Sequence, residues 1–211
     1  MIRLLYVGDL NKGHRVLEVL FGFQKQKMLE VVAVIPSKGD YAEHWYRSVA
    51  KLAEENNIPV FMPDDINDED FCKMLKDKFA PDWGLSNGSG MRLYRERFFN
   101  MPKNGFLNIH FSPLPKYRGL FPMSYAIIND EKYHGFTVHK IGAGMDTGDI
   151  VYQEFFHICE SDTGYAAYHR CEDLVVNFVR EKLLKILMTK DLVAFEQNDS
   201  EATTYRLRDM P

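Results

Sequence analysis

Cysteine is scarce in this chain. Cys72, Cys159 and Cys171 are odd in number and lack CxxC spacing. That excludes a disulfide framework and a zinc knuckle, and it suits buried or half-buried thiols in a reducing compartment. No apolar run approaches the roughly 20 residues needed to span a bilayer, so no membrane partner is expected. The apolar start, Ile2-Arg-Leu-Leu-Tyr-Val7, is too short for a secretory leader and reads as a first strand. The expected location is the cytoplasm. Neither charge is in large excess: the net charge is −4, so no basic field argues for nucleic acid. Several ligand signatures are missing too. Gly8-Asp-Leu-Asn-Lys-Gly13 lacks GxGxxG spacing, no Walker motif occurs, and Ser112 stands in no GxSxG elbow. The histidines show no metal-ligand spacing, and Asp146 with Asp149 falls short of a calcium loop. No metal is expected.

What is present is ordered alternation of strand and helix. Residues 2–7 and 29–35 are nearly continuous apolar runs, as in strands covered on both faces. Helical spacing follows over 13–27, with Val16, Leu17, Val19, Leu20 and Phe23 on one stripe, and again over 43–56, with Trp45, Val49, Leu52 and Ala53. A short strand is predicted at 58–62, a helix at 65–79 and a strand ending near 83–86. Further on come a short helix at 91–99, a strand at 106–111, a helix at 122–129, strands at 135–141 and 150–158, and a long helix at 163–189. A last short strand is predicted near 194–195 or 202–207. With no repeat, linker or low-complexity tract, the expectation is one α/β domain over 1–211, with a mostly parallel central sheet flanked by helices.

Two runs carry chemistry. In Phe106-Leu-Asn-Ile-His-Phe111, Asn108 and His110 are two residues apart on an apolar strand, so alternation points both at one face. A proline turn, Ser112-Pro-Leu-Pro115, then leads to Arg118-Gly119. Later, Gly144-Met-Asp-Thr-Gly-Asp-Ile150 puts Asp146 in a glycine-rich loop. A lone strand histidine is more often a satisfied structural residue, and Asp-Gly sequences are ordinary turn chemistry. Here the amide on the same face and the strand-end position favour a reactive histidine, because ligands of open α/β sheets sit beyond the carboxyl ends of strands. An amide, an imidazole and a carboxylate on one crevice could polarise a carbonyl and move a proton. The small residues of Gly84-Leu-Ser-Asn-Gly-Ser-Gly90 could let a flat ligand approach the backbone.

Leu107-Asn-Ile-His110, Leu114-Pro-Lys-Tyr-Arg-Gly119 and Met145-Asp-Thr-Gly-Asp-Ile150 together resemble the signature of the 10-formyltetrahydrofolate-dependent formyltransferases. That family includes glycinamide ribonucleotide, methionyl-tRNA and sugar-nucleotide formyltransferases. Ser48-Val-Ala-Lys-Leu-Ala53 with Asn57-Ile-Pro59 is similar to the tRNA and sugar branches. The resemblance implies a Rossmann-like formyltransferase fold and a catalytic trio of Asn108, His110 and Asp146. It implies 10-formyltetrahydrofolate as formyl donor, held by Leu85, Ser86, Asn87, Gly88, Ser89 and Met91 on one side and by Ile141, Gly142 and Gly144 on the other. Ser112, Pro113, Lys116, Tyr117, Arg118 and Gly119 would contact the amine substrate.

The sequence also departs from the family. Many members have Ser-Leu-Leu-Pro where this chain has Ser112-Pro-Leu-Pro115, and no glycine-rich phosphate cradle of the glycinamide ribonucleotide type follows the first strand. The tRNA branch carries a further C-terminal domain that the residues up to Pro211 do not supply, and many sugar enzymes carry extra C-terminal elements as well, so a trimmed form of either is an open alternative. Leu120-Phe-Pro122 is most similar to the sugar branch. The expected substrate is therefore a small molecule, a nucleotide-linked amino sugar. Formylation of methionyl-tRNA or another amine is the enzyme alternative, and a folate- or nucleotide-binding module is the non-enzyme alternative. A homodimer is a further expectation.

Overall fold

The computed structural model describes residues 1–41, 46–88 and 93–209. The chain begins with β1 (Ile2–Gly8), α1 (Leu10–Lys25) and β2 (Leu29–Ile35). It continues through α2 (Val49–Glu55), α3 (Glu69–Phe79), β3 (Trp83–Asn87), the single turn α4 (Glu96–Phe99) and β4 (Phe106–His110). Then come the two-residue β5 (Arg118–Gly119), α5 (Pro122–Ile128), β6 (Tyr133–Lys140) and β7 (Ile150–His157). Last are α6 (Gly164–Phe178), α7 (Leu184–Met188) and β8 (Thr204–Tyr205).

Six strands form one sheet in the order β2-β1-β3-β4-β6-β7. The pairs β1–β2, β1–β3 and β3–β4 are parallel, while β4–β6 and β6–β7 are antiparallel. The sheet is thus mostly parallel and covered by helices, as the apolar runs implied. On one face Leu4, Tyr6, Leu85, Leu107, Ile109, Phe136 and Val138 pack with Val16, Leu17 and Leu20 of α1 and Val175 and Phe178 of α6. On the other face Leu5, Val7, Ala33 and Phe106 pack with Cys72, Leu75 and Phe79 of α3 and Phe98 of α4. Because β2 and β3 flank β1 on opposite sides, the order reverses at β1. Such switch points open a crevice at the carboxyl edge of a sheet.

Several elements differ in extent from the sequence expectation. The described part of the helix expected at 43–56 begins at Val49, where the Ser48 hydroxyl caps by accepting from Lys51 N and the Asp40 carboxylate accepts from Val49 N and Ala50 N. Trp45 lies outside the described residues. The helix expected from 65 starts at Glu69, because Asp68 is its cap and Asp65 is used to accept from Asn67 N. The expected 58–62 strand is one bridge, Val34–Val60, since Pro59 and Pro63 cannot donate to a ladder. Of the helix expected at 91–99, residues 91–92 lie outside the described residues and the described part is helical only over α4. The long C-terminal helix runs on as expected, but Val179–Leu183 is wound as a π turn between α6 and α7. No helix among the described residues is long and apolar enough to cross a membrane.

One buried group makes the fold acid-sensitive. His134 on β6 is fully buried; its Nε2 donates to Phe111 O at 2.8 Å, and its Nδ1 has no partner among the described residues. Burial pushes its pKa down to about 4. The folded state therefore refuses a proton that the unfolded chain accepts below pH about 6.5. Stability is full above that pH and is lost as pH falls toward 4, by about 3 kcal/mol. Urea unfolding at pH 7.5 and 4.5 should show His134→Gln losing less stability between the two than the parent. An equal loss in both proteins would refute the assignment.

Candidate active site

Strand alternation sends Leu107 and Ile109 into the core and leaves Asn108 and His110 together on the other side of β4. His110 is 8% exposed. Its Nε2 donates to Tyr117 O at 2.8 Å. A carbonyl can only accept, so this bond assigns the proton of the neutral ring to Nε2 and leaves a lone pair on Nδ1. Nδ1 lies 3.6 Å from Asp146 Oδ2. Burial pushes the His110 pKa below its ordinary value; the Asp146 charge pulls the other way without overcoming it. Near neutral pH the ring is uncharged, with a bare nitrogen beside a carboxylate.

Asp146 sits between β6 and β7 with a left-handed backbone, φ 54°. Gly119 N donates to its Oδ2 at 2.9 Å and Asn108 Nδ2 to its Oδ1 at 3.3 Å. Burial opposes ionisation, but the imidazoles of His110 and His139 and the Gly119 N–H outweigh it and hold the carboxyl below the usual carboxylate range. The carboxylate is thus present as an acceptor before any ligand arrives.

His139 was not predicted by sequence reasoning. It is paired with Asn108 across the antiparallel β4–β6 register and is buried. Its Nδ1 faces Lys140 O at 2.9 Å, so its Nε2 accepts from Asn108 Nδ2 at 3.1 Å. The alternation of Phe136 and Val138 against Thr137 and His139 was the available signal. It became specific only once the strand pairing was known. Gln197 was missed as well. Its Nε2 donates to Asp146 O at 2.8 Å and Gly148 O at 2.7 Å, pinning the acidic loop from behind.

These residues form one wall of a cleft of about 990 Å³ at the carboxyl edge of the sheet. Asn108, His110, His139 and Asp146 all line it. Of the residues expected to hold the donor, Ser86, Gly88, Ile141, Gly142 and Gly144 line it too. Leu85 is in the core, and Asn87 is buried with its Nδ2 donating to Lys12 O, so neither lines the cleft. Ser89 and Met91 lie outside the described residues.

The expected substrate contacts are mostly redirected. Gly119 lines the cleft, but Ser112, Pro113, Lys116, Tyr117 and Arg118 do not. Their polar groups build the loop instead. Ser112 Oγ donates to Lys116 O, and Tyr117 Oη donates to Glu131. Arg118 is buried and donates through Nε and Nη2 to Gln197 Oε1 and through Nη2 to Asp199. Its guanidinium therefore steadies Asp146 through Gln197. The cleft also contains two large side chains with left-handed backbones, Leu10 (φ 58°) and Phe121 (φ 54°). Such conformations are costly for bulky residues and concentrate at functional sites. Among the described residues, no group of three His, Cys, Asp or Glu is placed to hold a metal ion.

The chain is similar to several known proteins. The methionyl-tRNA formyltransferase of Fervidobacterium nodosum is 32% identical over 206 residues, which cover 96% of this chain and 62% of that protein. The chain thus spans less than two thirds of that relative's length. WlaRD, a sugar 3N-formyl transferase crystallised in the presence of dTDP and 5-N-formyl-THF, superposes with TM-score 0.79 at 26% identity, over all of this chain and 72% of that one. The N-formyltransferase of Helicobacter canadensis, in complex with folinic acid and dTDP-3-aminofucose, gives TM-score 0.78 at 26% identity, over all of this chain and 73% of that one. Residues 10–183, which include every residue of the Asn108–His110–His139–Asp146 wall, match the formyl transferase family, and the chain belongs to that family.

Proposed function

We propose that the protein transfers a formyl group from 10-formyltetrahydrofolate to a primary amine on a nucleotide-linked amino sugar. The observation that carries the reading is the convergence of Asn108, His110 and ionised Asp146 on one wall of a cleft roomy enough for a donor and an acceptor. The donor fits the wall formed by Leu93, Phe99, Ile141 and Gly142. These side chains are apolar, and a Cβ added at Gly142 would meet nothing within 4 Å, so the backbone there is open to a flat ring. When bound, 10-formyltetrahydrofolate supplies the formyl carbon.

The chain's own residues then divide the proton work. His110 Nδ1, bare in the neutral ring, accepts the proton that leaves the attacking amine. The imidazolium so formed keeps its Nε2–H on Tyr117 O and gains Asp146 as counter-charge at 3.6 Å. Both amide hydrogens of Asn108 are engaged, with His139 Nε2 and Asp146 Oδ1, so supporting negative charge on a reacting oxygen requires it to release the longer of the two bonds, the one to Asp146 at 3.3 Å. His139 and Gln197 act as positioning residues, one on Asn108 and the other on the Asp146 loop.

The sugar reading is supported by the solved relatives in complex with dTDP or dTDP-3-aminofucose and by the chain's net charge of −4, which suits a small anion better than a polyanion. A second reading, formylation of methionyl-tRNA, is favoured by the identity to methionyl-tRNA formyltransferases. Purified protein should be assayed with 10-formyltetrahydrofolate against a panel of dTDP- and UDP-linked amino sugars and against charged initiator tRNA. Formylation of a panel sugar, with stoichiometric tetrahydrofolate, is the expected result. Turnover with the tRNA alone would establish the second reading. A folded protein that formylates none of them would overturn the enzymatic reading.

A further inference from the structure

His110 has two acceptors beside it and, as a neutral ring, one proton to give. Tyr117 O stands 2.8 Å from Nε2, and the Asp146 carboxylate stands 3.6 Å from Nδ1. The carboxylate is intrinsically the stronger acceptor, because it carries a full charge. A proton drawn to Nδ1 would face Asp146 and leave no lone pair there for an incoming amine. The ring protonated on Nε2 therefore depends on how well the Tyr117 carbonyl is aimed. Tyr117 itself does not line the cleft, and its backbone is left-handed, with φ 61°. A bulky residue keeps that conformation only where its surroundings hold it.

The hold comes from Thr203, on the segment that leads into β8. Thr203 Oγ1 accepts from Tyr117 N at 2.8 Å, and Thr203 O accepts from Arg118 N at 2.9 Å. The second bond bears directly on His110. Tyr117 C=O and Arg118 N–H belong to one peptide group, which is planar and trans. Fixing the direction of its N–H fixes the opposite direction of its C=O. That peptide is thus held between Thr203 on one side and His110 Nε2 on the other. Thr203 N in turn donates to Pro115 O at 3.3 Å, and Leu120 N donates to Tyr205 O at 3.0 Å, so the contact is bracketed at both ends. The Tyr117 ring stacks on Tyr205 and its hydroxyl donates to Glu131. Those contacts anchor the side chain but do not by themselves orient the peptide that follows. The next N–H, of Gly119, donates to Asp146. Residues 117–119 in this way join Thr203 to both His110 and Asp146.

We propose that Thr203 is a positioning residue for His110: by holding the N–H groups on either side of the Tyr117 carbonyl, it keeps that carbonyl on Nε2 and keeps Nδ1 bare beside Asp146. This rests on the formyl-transfer reading, which it deepens by assigning the tautomer of the base to a residue far along the chain. Thr203 does not line the cleft, so it acts only through residues 117–119.

The ring itself can be read. Long-range proton–nitrogen NMR spectra of the full chain near neutral pH, without ligands, distinguish an Nε2–H from an Nδ1–H imidazole, and His110→Gln identifies the His110 signals. Thr203→Val keeps the shape and loses the side-chain acceptor, whereas Thr203→Ser keeps the acceptor. The parent and Thr203→Ser should show the Nε2–H tautomer. Thr203→Val should show a share of Nδ1–H, and its single-turnover formyl transfer should fall about five-fold, as expected from the net worth of one hydrogen bond. Tetrahydrofolate affinity should be unchanged, so that the loss lies in kcat. If Thr203→Val does not fold, Thr203→Ala replaces it. A folded Thr203→Val or Thr203→Ala protein with the parental tautomer would overturn the proposal, whatever its rate. So would a Thr203→Ser protein as impaired as Thr203→Val, or a parent whose His110 carries its proton on Nδ1. Absence of parental turnover across the whole acceptor panel would sink the formyl-transfer reading alone, because the tautomer is read without substrate.

Discussion

His110→Ala should abolish formyl transfer while leaving the fold and tetrahydrofolate affinity nearly unchanged. In the proposed reaction the imidazole would act on a proton that moves only as the amine attacks, so its loss belongs in kcat rather than in donor affinity. In the proposed reaction the bare Nδ1 and the nearby Asp146 would make it the cleft's proton acceptor. Removing a positioned base typically costs about 10²–10⁴ in rate. The structural cost should be modest, because the ring's one backbone bond, to Tyr117 O, lies at the cleft wall and water can replace it. Single-turnover formyl transfer, with circular dichroism as the folding control, is the measurement. A well-folded His110→Ala protein keeping more than about a tenth of parental kcat would refute the role, since the expected loss is at least about 10²-fold.

Asp146→Asn should be nearly as damaging, for an electrostatic reason. The amide oxygen can still accept from Gly119 N, so the loop keeps its shape, but the charge 3.6 Å from His110 Nδ1 is gone. Protonated His110 then has no counter-charge in a buried setting, and a rate loss of about 10²–10³ is expected. The pH profile separates this from simple misfolding. Asp146 raises the His110 pKa against burial, so removing its charge lets burial act alone and lowers that pKa further. Activity that needs neutral His110 falls as pH drops through that pKa. The acid limb of kcat/KM in Asp146→Asn should therefore move to lower pH. A limb that stays in place or moves to higher pH would contradict the pairing. The double variant with His110→Ala should lose far less than the product of the two single losses, because the residues act as one unit.

Local sequence rules reached some parts of this site and missed others. The shared face of Asn108 and His110 was legible because strand alternation is a property of the backbone alone. The continuous apolar runs at 2–7 and 29–35 announced a sheet covered on both faces for the same kind of reason. The helix starts at 49 and 69 were misjudged because the first is capped jointly by Ser48 and by Asp40 from the preceding loop, and the second by Asp68, while Asp65 is turned onto Asn67 N. Arg118 is the clearest redirection. A basic residue beside a glycine reads as a ligand contact, but its guanidinium is buried on Gln197, 79 positions away.

The sequence by itself determined the alternation of strands and helices, the apolar faces, and the presence of an amide, an imidazole and a carboxylate in motifs of one family. Those are matters of periodicity and residue type, set by backbone geometry within a few residues. Only the tertiary structure decided which groups meet. The β4–β6 register put His139 on Asn108, and the docking of residues 197–205 against β5 pinned Asp146. The reversal of strand order at β1 brought Lys12 of α1 into the same cleft as His110. Contacts between residues far apart in the chain depend on which surfaces bury each other, and that is settled by the packing of the whole sheet rather than by any segment of it.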